Sequence, residues 1–303
     1  MKQRAQIRYL SDGRRLHLQD GPIDLVVEAF GDRGEIGIAY GAAAKRFETV
    51  LDELCSELPV LRQPARKNST CPTGVIAKRM CAAVAPYCER IFITPMAAVA
   101  GAVAEEILGT MTSAASLSRA YVNNGGDIAL HLAPGESFVA GMVERPDRPS
   151  LFGTAALDSS QPVRGIATSG WRGRSFSLGI ADAVTVLADR AAFADAAATV
   201  IANAVDLPGH PSVVRVRACD LAPDSDLGEL LVTQGVGKLS ACEVTTALDA
   251  GRAAAETLVL NGLIRSAALH LRGKTDIVDP EQFSNRGREW SSDFGWSSAS
   301  ALH

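Results

Sequence analysis

The spacing of apolar and polar residues predicts where the first strands and the first helix lie. Residues 7–30 alternate between the two types around glycine-containing turns, which predicts two or three short antiparallel strands. Over 35–58 the apolar residues fall near one face of a helix, and Pro59 is expected to end that helix. The chain is therefore expected to begin with a small sheet followed by a helix.

The middle of the chain combines two more helices with a hairpin. Helical patterns cover 73–88 and 95–108, and the second consists almost wholly of Ala, Val, Gly and Ile. Small residues of this kind let a helix lie close to another backbone. Residues 119–132 predict two short strands around a tight turn, and 136–143 is expected to continue the same sheet.

The second half of the chain alternates short strands with single helices. Strand patterns are centred on Ile166 and cover 176–180, 184–187, 213–218, 230–232 and 266–272, while helical patterns cover 191–204 and 242–260. Consecutive strands with helices inserted singly favour an α+β layered sheet over a doubly wound parallel sheet. The G-x-G-x-x-G fingerprint of dinucleotide binding, which the parallel alternative would carry, does not occur after a first strand.

Length and composition are typical of a globular protein. The chain has 303 residues, of which 47% are hydrophobic and 21% are charged. Length alone allows one large domain or two small ones. We expect a single domain over 1–273, because the polar, serine-rich segment 274–303 is predicted to be a disordered tail.

Charge and aromatic content argue against several classes of partner. The net charge is −4, the longest basic cluster is 62–67, and only 5% of residues are aromatic, so we expect no nucleic-acid partner. The N-terminal region is charged, and the most apolar run, 91–104, is too short to span a bilayer. Six cysteines without a C-x-x-C pair are typical of buried small hydrophobic residues. We therefore predict a cytoplasmic protein without a membrane partner.

Two oxygen-bearing side chains suggest a metal site. Asp195 and Thr199 are four residues apart, so both would project from one face of the helix predicted over 191–204. A carboxylate and a hydroxyl can form part of the shell of Mg²⁺, which prefers hard oxygen ligands and usually retains waters or phosphate oxygens. The structural alternative makes Asp195 a first-turn residue favoured by the helix dipole and Thr199 a packed residue.

Two glycine-containing turns could bring the backbone close to a ligand. The turn at 168–170 is small and polar, and its N–H groups could hold an anion, although many ordinary turns share this composition. The turn at 123–127 holds two amides, two glycines and a carboxylate, which is more than a plain hairpin requires. Arg172 and Arg174 follow the first turn and are candidates for contacting a phosphate.

The order of these turns and of the helix resembles the motif series of the ApbE superfamily. The matching segments are Asn124-Gly125-Gly126-Asp127-Ile128, Ala167-Thr168-Ser169-Gly170, Val184-Thr185-Val186 and Ala194-Asp195-Ala196-Ala197-Ala198-Thr199. That superfamily includes Mg²⁺-dependent flavin transferases, which split FAD and attach FMN to a protein threonine. The resemblance covers roughly Pro95 to Val205, and its spacing is closest to the shorter branch of bacterial and archaeal proteins.

The resemblance implies a fold, ligands and roles for individual residues. It implies a layered sheet-and-helix fold with a central cleft that binds Mg²⁺ together with FAD or another nucleotide, and a protein as the acceptor of FMN. Asp195 and Thr199 would bind Mg²⁺, assisted by a main-chain carbonyl near Val99. The residues that would line the nucleotide site are Asn124, Gly125, Gly126, Asp127, Thr168, Ser169 and Gly170.

Two features of the transferases are missing from this chain. Transferases carry a Lys-Gly pair in the small-residue helix, where this chain has Ala100-Gly101, and a His-x-x-Asp-Pro segment, where 177–182 contains no histidine. The sequence therefore assigns no catalytic residue and leaves three functions open. The first is a nucleotidyl or FMN transferase, or an FAD-cleaving enzyme. The second is a non-catalytic ligand-binding protein, as the subunit of a homo-oligomer, that has lost this chemistry. The third is an unrelated small-molecule enzyme.

Overall fold

A computed structural model describes residues 5–69, 72–143, 151–279 and 296–298 of the chain. The chain divides into two compact units. The first contains Met1–Ser137, Asp158–Ala167 and Asp189–Ala196, and the second contains Phe138–Leu157, Thr168–Ala188 and Ala197–His303.

The sheet of the first unit is antiparallel. Its strands are neighbours in the order β1 (Gln6–Tyr9), β2 (Leu16–Asp20), β3 (Ile23–Phe30), β4 (Arg119–Asn124) and β5 (Asp127–Leu132). The start of β8 (Gly165–Ser169) follows β5, with Ile128 opposite Ile166. The strands predicted over 7–30 and the hairpin predicted over 119–132 are thus confirmed.

The first unit also contains helices. They are α1 (Arg33–Leu61), α2 (Val75–Val84), α3 (Val99–Ala114) and the first residues of α4 (Ala191–Ala204), with single 3₁₀ turns at Ala85–Tyr87 and Pro95–Ala98. Of these, α1 and α3 pack on the strands of this sheet. The expectation that Pro59 ends α1 is wrong, because the helix continues to Leu61. Proline has no N–H group to donate to the carbonyl of Cys55. Cys55 is exposed, so water can hydrate that carbonyl.

The second unit contains three groups of antiparallel strands. In the first group β9 (Ala183–Ala188), β12 (Ser266–Leu271) and β13 (Lys274–Val278) are neighbours. The others are a pair, β10 (Val213–Arg217) with β11 (Leu231–Val236), and a sheet in the order β14 (Trp296–Ser298), β7 (Leu151–Asp158), β6 (Ser137–Val143). The helices are the rest of α4, the short α5 (Ala218–Leu221) and α6 (Ala241–Leu260). Helices combined with antiparallel sheets confirm the predicted α+β class.

Three expectations for single elements differ from the structure. Residues 176–180 form a loop, because their backbone groups bind elsewhere: Leu178 N donates to the Asn203 side chain and Ile180 N donates to Val205 O. The segment 136–143 does not continue the first sheet, since a turn at Gly135 (φ 86°) precedes β6 in a separate sheet.

The third difference lies within the predicted tail, where residues Lys274–Val278 form β13. Of the remaining tail, 280–295 and 299–303 lie outside the described residues. Among the described residues, no helix has both the length and the apolar character needed to cross a membrane.

Candidate functional site

Asp195 contacts the first turn of α3 within the first unit. Its Oδ2 accepts a hydrogen bond of 2.9 Å from the backbone N of Gly101, and the amide of Ala100 also donates to this carboxylate. Helix α3 has no capping side chain of its own, since its N-cap residue is Ala98. The carboxylate therefore caps a helix to which it does not belong.

This contact corrects the structural alternative for Asp195. Helix α4 begins at Ala191, and its first turn contains no acidic residue, so the dipole that the carboxylate meets is that of α3. The metal-site prediction named a carbonyl near Val99, but the groups of α3 that contact Asp195 are the N–H groups of Ala100 and Gly101.

The charge of Asp195 is only partly compensated. Burial raises the pKa of its carboxyl to about 7, and the hydrogen bonds from Gly101 and Ala100 oppose this shift without cancelling it. Within the part of the chain that the structure describes, no Lys or Arg nitrogen lies within 4.0 Å of this carboxylate. A cation supplied from solution would therefore stabilise the charged form.

Asn124 contacts the same turn of α3. Its buried side-chain amide donates to the carbonyl of Ala100 at 3.2 Å. Asn124 and Asp195 are far apart in sequence, and both bind the Ala100-Gly101 segment. The structure thus brings two predicted site residues to one helical turn.

The other residues of the Asn124 motif have a structural explanation. Gly125 (φ 67°) and Gly126 (φ 116°) are the two central residues of a tight hairpin turn between β4 and β5. Asn124 pairs with Asp127 across the strands, and Gly126 N donates to the side chain of Asn123. The second glycine, which seemed more than a hairpin requires, is needed by the turn itself.

Two glycines of the first unit hold the start of α4 in place. A Cβ on Gly101 would lie 2.3 Å from the Ala191 carbonyl oxygen, and a Cβ on Gly165 would lie 2.3 Å from the Ala191 amide nitrogen. Both distances are too short for any side chain. The small residues of α3 therefore allow the close backbone approach that the sequence predicted.

The sequence did not identify Glu105 as a residue of this region. Its Oε1 accepts from Ala192 N at 2.8 Å, in the first turn of α4, and its Oε2 lies 3.0 Å from Arg79 and 2.8 Å from Arg190. Glu105 thus fixes the N-terminal end of the helix that carries Asp195. In the sequence it only marks the end of an apolar run, and nothing local indicates its partners.

The turn at 168–170 belongs to the second unit. The hydroxyls of Thr168 and Thr185 lie 2.9 Å apart, and a Cβ on Gly170 would lie 2.6 Å from the Asp182 carbonyl oxygen. Gly170 is therefore required by close backbone packing. Ser169, at the end of β8, is partly buried.

Asp182 fixes the segment that follows this turn. Its buried carboxylate accepts from Trp171 Nε1 at 3.1 Å and Arg172 Nε at 3.0 Å through Oδ1, and from Arg272 N at 2.7 Å through Oδ2. Arg172 was a candidate phosphate contact, and it is instead tied to Asp182 and stacked on Trp171. Arg174 is exposed.

A complete metal cage of side chains is not found in the described residues. There, no group of three or more His, Cys, Asp or Glu side chains could hold a metal ion. Thr199, partly buried, lies one helical turn after Asp195 in α4, as predicted. This donor set fits Mg²⁺ only if waters or phosphate oxygens complete the shell, which is the usual coordination of this ion.

Comparison with protein families gives one match over most of the chain. The family model described as "AbpE bacteria" matches residues 7–277. This range includes every segment of the motif series and every residue predicted to bind a metal or a nucleotide.

The chain is also similar to several archaeal proteins named UPF0280 protein. The one from Methanopyrus kandleri is 36% identical over 205 residues, which are 66% of this chain and 78% of that protein. The one from Methanococcoides burtonii is 36% identical over 166 residues, 51% of this chain and 61% of that protein. The one from Methanocella arvoryzae is 36% identical over 146 residues, which are 45% of this chain and 53% of that protein. In the last two cases the match spans less than two thirds of the relative.

Two solved structures align with most of the chain at low similarity. The flavin transferase ApbE from Vibrio cholerae is 12% identical with a TM-score of 0.47, and the alignment covers 92% of this chain and 99% of that one. The flavinyl transferase ApbE of Pseudomonas stutzeri is 12% identical with a TM-score of 0.35, and the alignment covers 93% of this chain and 97% of that one. At this level of similarity, neither structure bears on the activity of this chain.

Proposed function

Because the chain belongs to the AbpE bacteria family, we propose that it binds a flavin nucleotide together with Mg²⁺ and acts on the phosphoanhydride of that ligand. The reaction class is nucleotidyl or FMN transfer, or cleavage of FAD. The observation that carries this proposal is the partly buried Asp195 carboxylate, whose pKa is raised by burial and which has no Lys or Arg partner within the described residues.

Family membership confirms the resemblance to the ApbE superfamily that the motif series indicated. The flavin part of the proposal rests on that motif series. Cytoplasmic location, a protein acceptor for FMN and a homo-oligomer stay predictions from the sequence.

The metal part of the proposal rests on charge and on ligand chemistry. The raised pKa of Asp195 means that burial opposes its negative charge, and a divalent cation would compensate that charge. Asp195 would supply the carboxylate and Thr199 a hydroxyl from the next turn of α4. Bound Mg²⁺ would neutralise negative charge that develops on the phosphate oxygens.

Two segments of the chain would contact the nucleotide in this proposal. In the first unit, Asn124 is fixed on the helical turn that Asp195 caps, which supports a role in positioning the ligand near the metal. Gly125, Gly126 and Asp127 follow in the hairpin turn. In the second unit the proposal assigns flavin contacts to Thr168, Ser169 and Gly170.

A second function is favoured by three observations and belongs to a different class. Ala100 stands where transferases carry lysine, the segment 177–182 has no histidine, and Asp195 already caps α3. These features support a ligand-binding protein without turnover. In that case the carboxylate would hold α3 and α4 together instead of binding a metal.

Two substitutions of Asp195 separate the roles. Asp195→Asn keeps an oxygen that can accept from Gly101 N, whereas Asp195→Ala removes it. If the residue binds Mg²⁺, both variants lose Mg²⁺ binding, measured by calorimetry, and only the alanine variant loses stability. If it is a cap alone, Mg²⁺ binding does not depend on this residue, so neither variant changes it, and only the alanine variant loses stability.

The activity test uses FAD with and without MgCl₂. Release of FMN or AMP, followed by chromatography, is expected with Mg²⁺ for the wild type and absent for Asp195→Asn. Binding of FAD without any product would support the non-catalytic function. Absence of both binding and cleavage would reject the flavin proposal.

A further inference from the structure

The first unit contains a cavity of about 570 Å³ at the start of α1. It is remote from the Asn124 turn, because Leu25 pairs with Asn124 at one end of β3 and Phe30 pairs with Arg119 at the other. Glu28 is the cavity-lining residue of β3 nearest to Leu25, so about 10 Å of strand separates the cavity wall from that turn. The cavity is therefore distinct from the site proposed for the nucleotide.

A buried carboxylate lies in the wall of this cavity. Glu28 is 9% exposed, and the Tyr121 hydroxyl donates to its Oε2 at 3.0 Å, which fixes the orientation of the carboxylate. Arg14 Nε lies 3.8 Å from Oε1, too far for a hydrogen bond, and its side chain is largely exposed. The carboxylate therefore retains the capacity to accept from a ligand cation.

A cation lies at the rim of the same cavity. Arg33 is the exposed first residue of α1, after the N-cap Asp32 and in the same turn as Glu35. No carboxylate of the described residues lies within 4.0 Å of its guanidinium. Because Arg14 also lines the cavity, a ligand anion would meet two guanidinium groups there.

The remaining wall is aromatic and apolar. Tyr40 is fixed by hydrogen bonds from its hydroxyl to Arg14 O at 2.7 Å and from Ala29 N at 3.1 Å, and its ring contacts that of Tyr9. Ile36 and Phe30 add apolar surface. At Gly37 the wall is open, since nothing lies within 4 Å of the point where a Cβ would be.

We propose that this cavity binds a free α-amino acid with an apolar side chain. Glu28 would accept from the ammonium group, Arg33 and Arg14 would bind the carboxylate, and the rings would contact the side chain. A ligand with only one of the two charges would contact either Glu28 or the two arginines, but not both. The site serves binding and is independent of the flavin chemistry proposed above.

Three related probes test the two charges on the wild-type protein. L-Phenylalanine carries both, N-acetyl-L-phenylalanine lacks the ammonium group, and L-phenylalaninamide lacks the carboxylate. L-Leucine and L-methionine are included as smaller amino acids. We expect calorimetry to show binding of the amino acids and an affinity at least about tenfold lower for each blocked analogue.

Two variants assign each charge to its residue. Glu28→Gln should weaken the binding of L-phenylalanine and leave the binding of N-acetyl-L-phenylalanine unchanged. Arg33→Gln should weaken the binding of L-phenylalanine and leave the binding of L-phenylalaninamide unchanged. Such selective losses form double-mutant cycles in which the ligand is one partner. Equal losses for all three probes would contradict the assignment.

Two glycine substitutions test whether the amino acid binds in this cavity. Gly37→Leu fills the cavity and should abolish binding, while Gly41→Leu, one turn later in α1 with equally open space and outside the cavity, should not. Melting followed by circular dichroism verifies that both variants fold. The proposal is overturned if none of the three amino acids binds, if Gly37→Leu retains binding, or if both leucine variants lose it alike.

Discussion

Two aspartates, the buried Asp182 and the partly buried Asp195, lie one in each unit and have opposite surroundings. Asp182 accepts three hydrogen bonds, one of them from the guanidinium of Arg172. Asp195 accepts from the backbone amides of Ala100 and Gly101 and has no cationic side chain nearby in the described residues. The same side chain is therefore a completed ion pair in one place and an uncompensated charge in the other.

This difference separates a structural tie from a candidate ligand site. A carboxylate already bound to a guanidinium has little to gain from a metal ion. A carboxylate held only by neutral donors gains most of its missing stabilisation when a cation arrives. For this reason the proposal for a metal rests on Asp195, although both residues lie in motif regions of the chain.

The largest expected effect is on folding, at Asp182. Asp182→Ala should lower the free energy of unfolding by about 3 to 5 kcal/mol, because it leaves the Arg172 guanidinium and two further donors without their acceptor. Asp182→Asn keeps an acceptor and should cost less. Urea denaturation measures both, and a loss below about 1 kcal/mol for the alanine variant would contradict the ion-pair interpretation.

The next effect is a pH dependence carried by Asp195. Its pKa is about 7 when folded and about 3.9 when unfolded, so the folded state holds the proton more tightly. Its contribution to stability is therefore complete below about pH 4 and is lost as the pH rises to 7, at up to about 1.4 kcal/mol per pH unit.

A comparison with Asp195→Asn isolates this effect from other titrating groups. Without Mg²⁺, the variant should gain about 2 to 4 kcal/mol relative to the wild type between pH 4 and pH 7, measured by denaturation at each pH. Saturating Mg²⁺ should reduce that gain, because the metal compensates the charge. A difference that stays constant with pH would show that the carboxylate is not destabilised by burial.

The sequence predicted local elements better than the contacts between them. Helix α4 begins and ends where the pattern placed it, because Ala191–Ala204 is rich in alanine and contains neither glycine nor proline. The segment 176–180 has an apolar pattern too, but two of its amides bind Asn203 and Val205, and the backbone bond that it makes to a strand is from Thr233 N to Ser177 O. Apolar spacing alone cannot distinguish these outcomes.

The same limit applies to the candidate site. Asp195 could be found from its motif, but its partner Gly101 is 94 residues away and Glu105 reaches Ala192 over 87 residues. The role of Gly101 follows from a backbone contact with Ala191 that no local pattern encodes. Residue types were therefore predictable, whereas the compensation of each charge required the structure.

A smaller effect is expected where Glu105 holds the start of α4. Glu105→Gln can still accept from Ala192 N but loses the ion pairs with Arg79 and Arg190. The Arg190 side chain is half exposed, so its pair contributes less. We expect a loss of about 1 kcal/mol in the free energy of unfolding and weaker Mg²⁺ binding at Asp195.

The control is Asp249→Asn, which removes an exposed ion pair with Arg252 in α6. Its cost should lie within about 0.5 kcal/mol, and its Mg²⁺ affinity should equal that of the wild type. Equal behaviour of the two variants would mean that Glu105 does not position α4.

The smallest effect concerns Thr199 and tests whether the Asp195 site extends to the next turn. Thr199→Val preserves shape and removes one oxygen, so Mg²⁺ affinity should fall about threefold to tenfold with little change in stability. Thr110→Val in α3, whose hydroxyl donates to Glu106 O, is the matched control and should leave Mg²⁺ binding unchanged. If Thr199→Val binds Mg²⁺ like the wild type while Asp195→Asn does not, the metal is held by Asp195 without Thr199, and its remaining ligands must come from water, backbone carbonyls or the phosphate groups of the nucleotide.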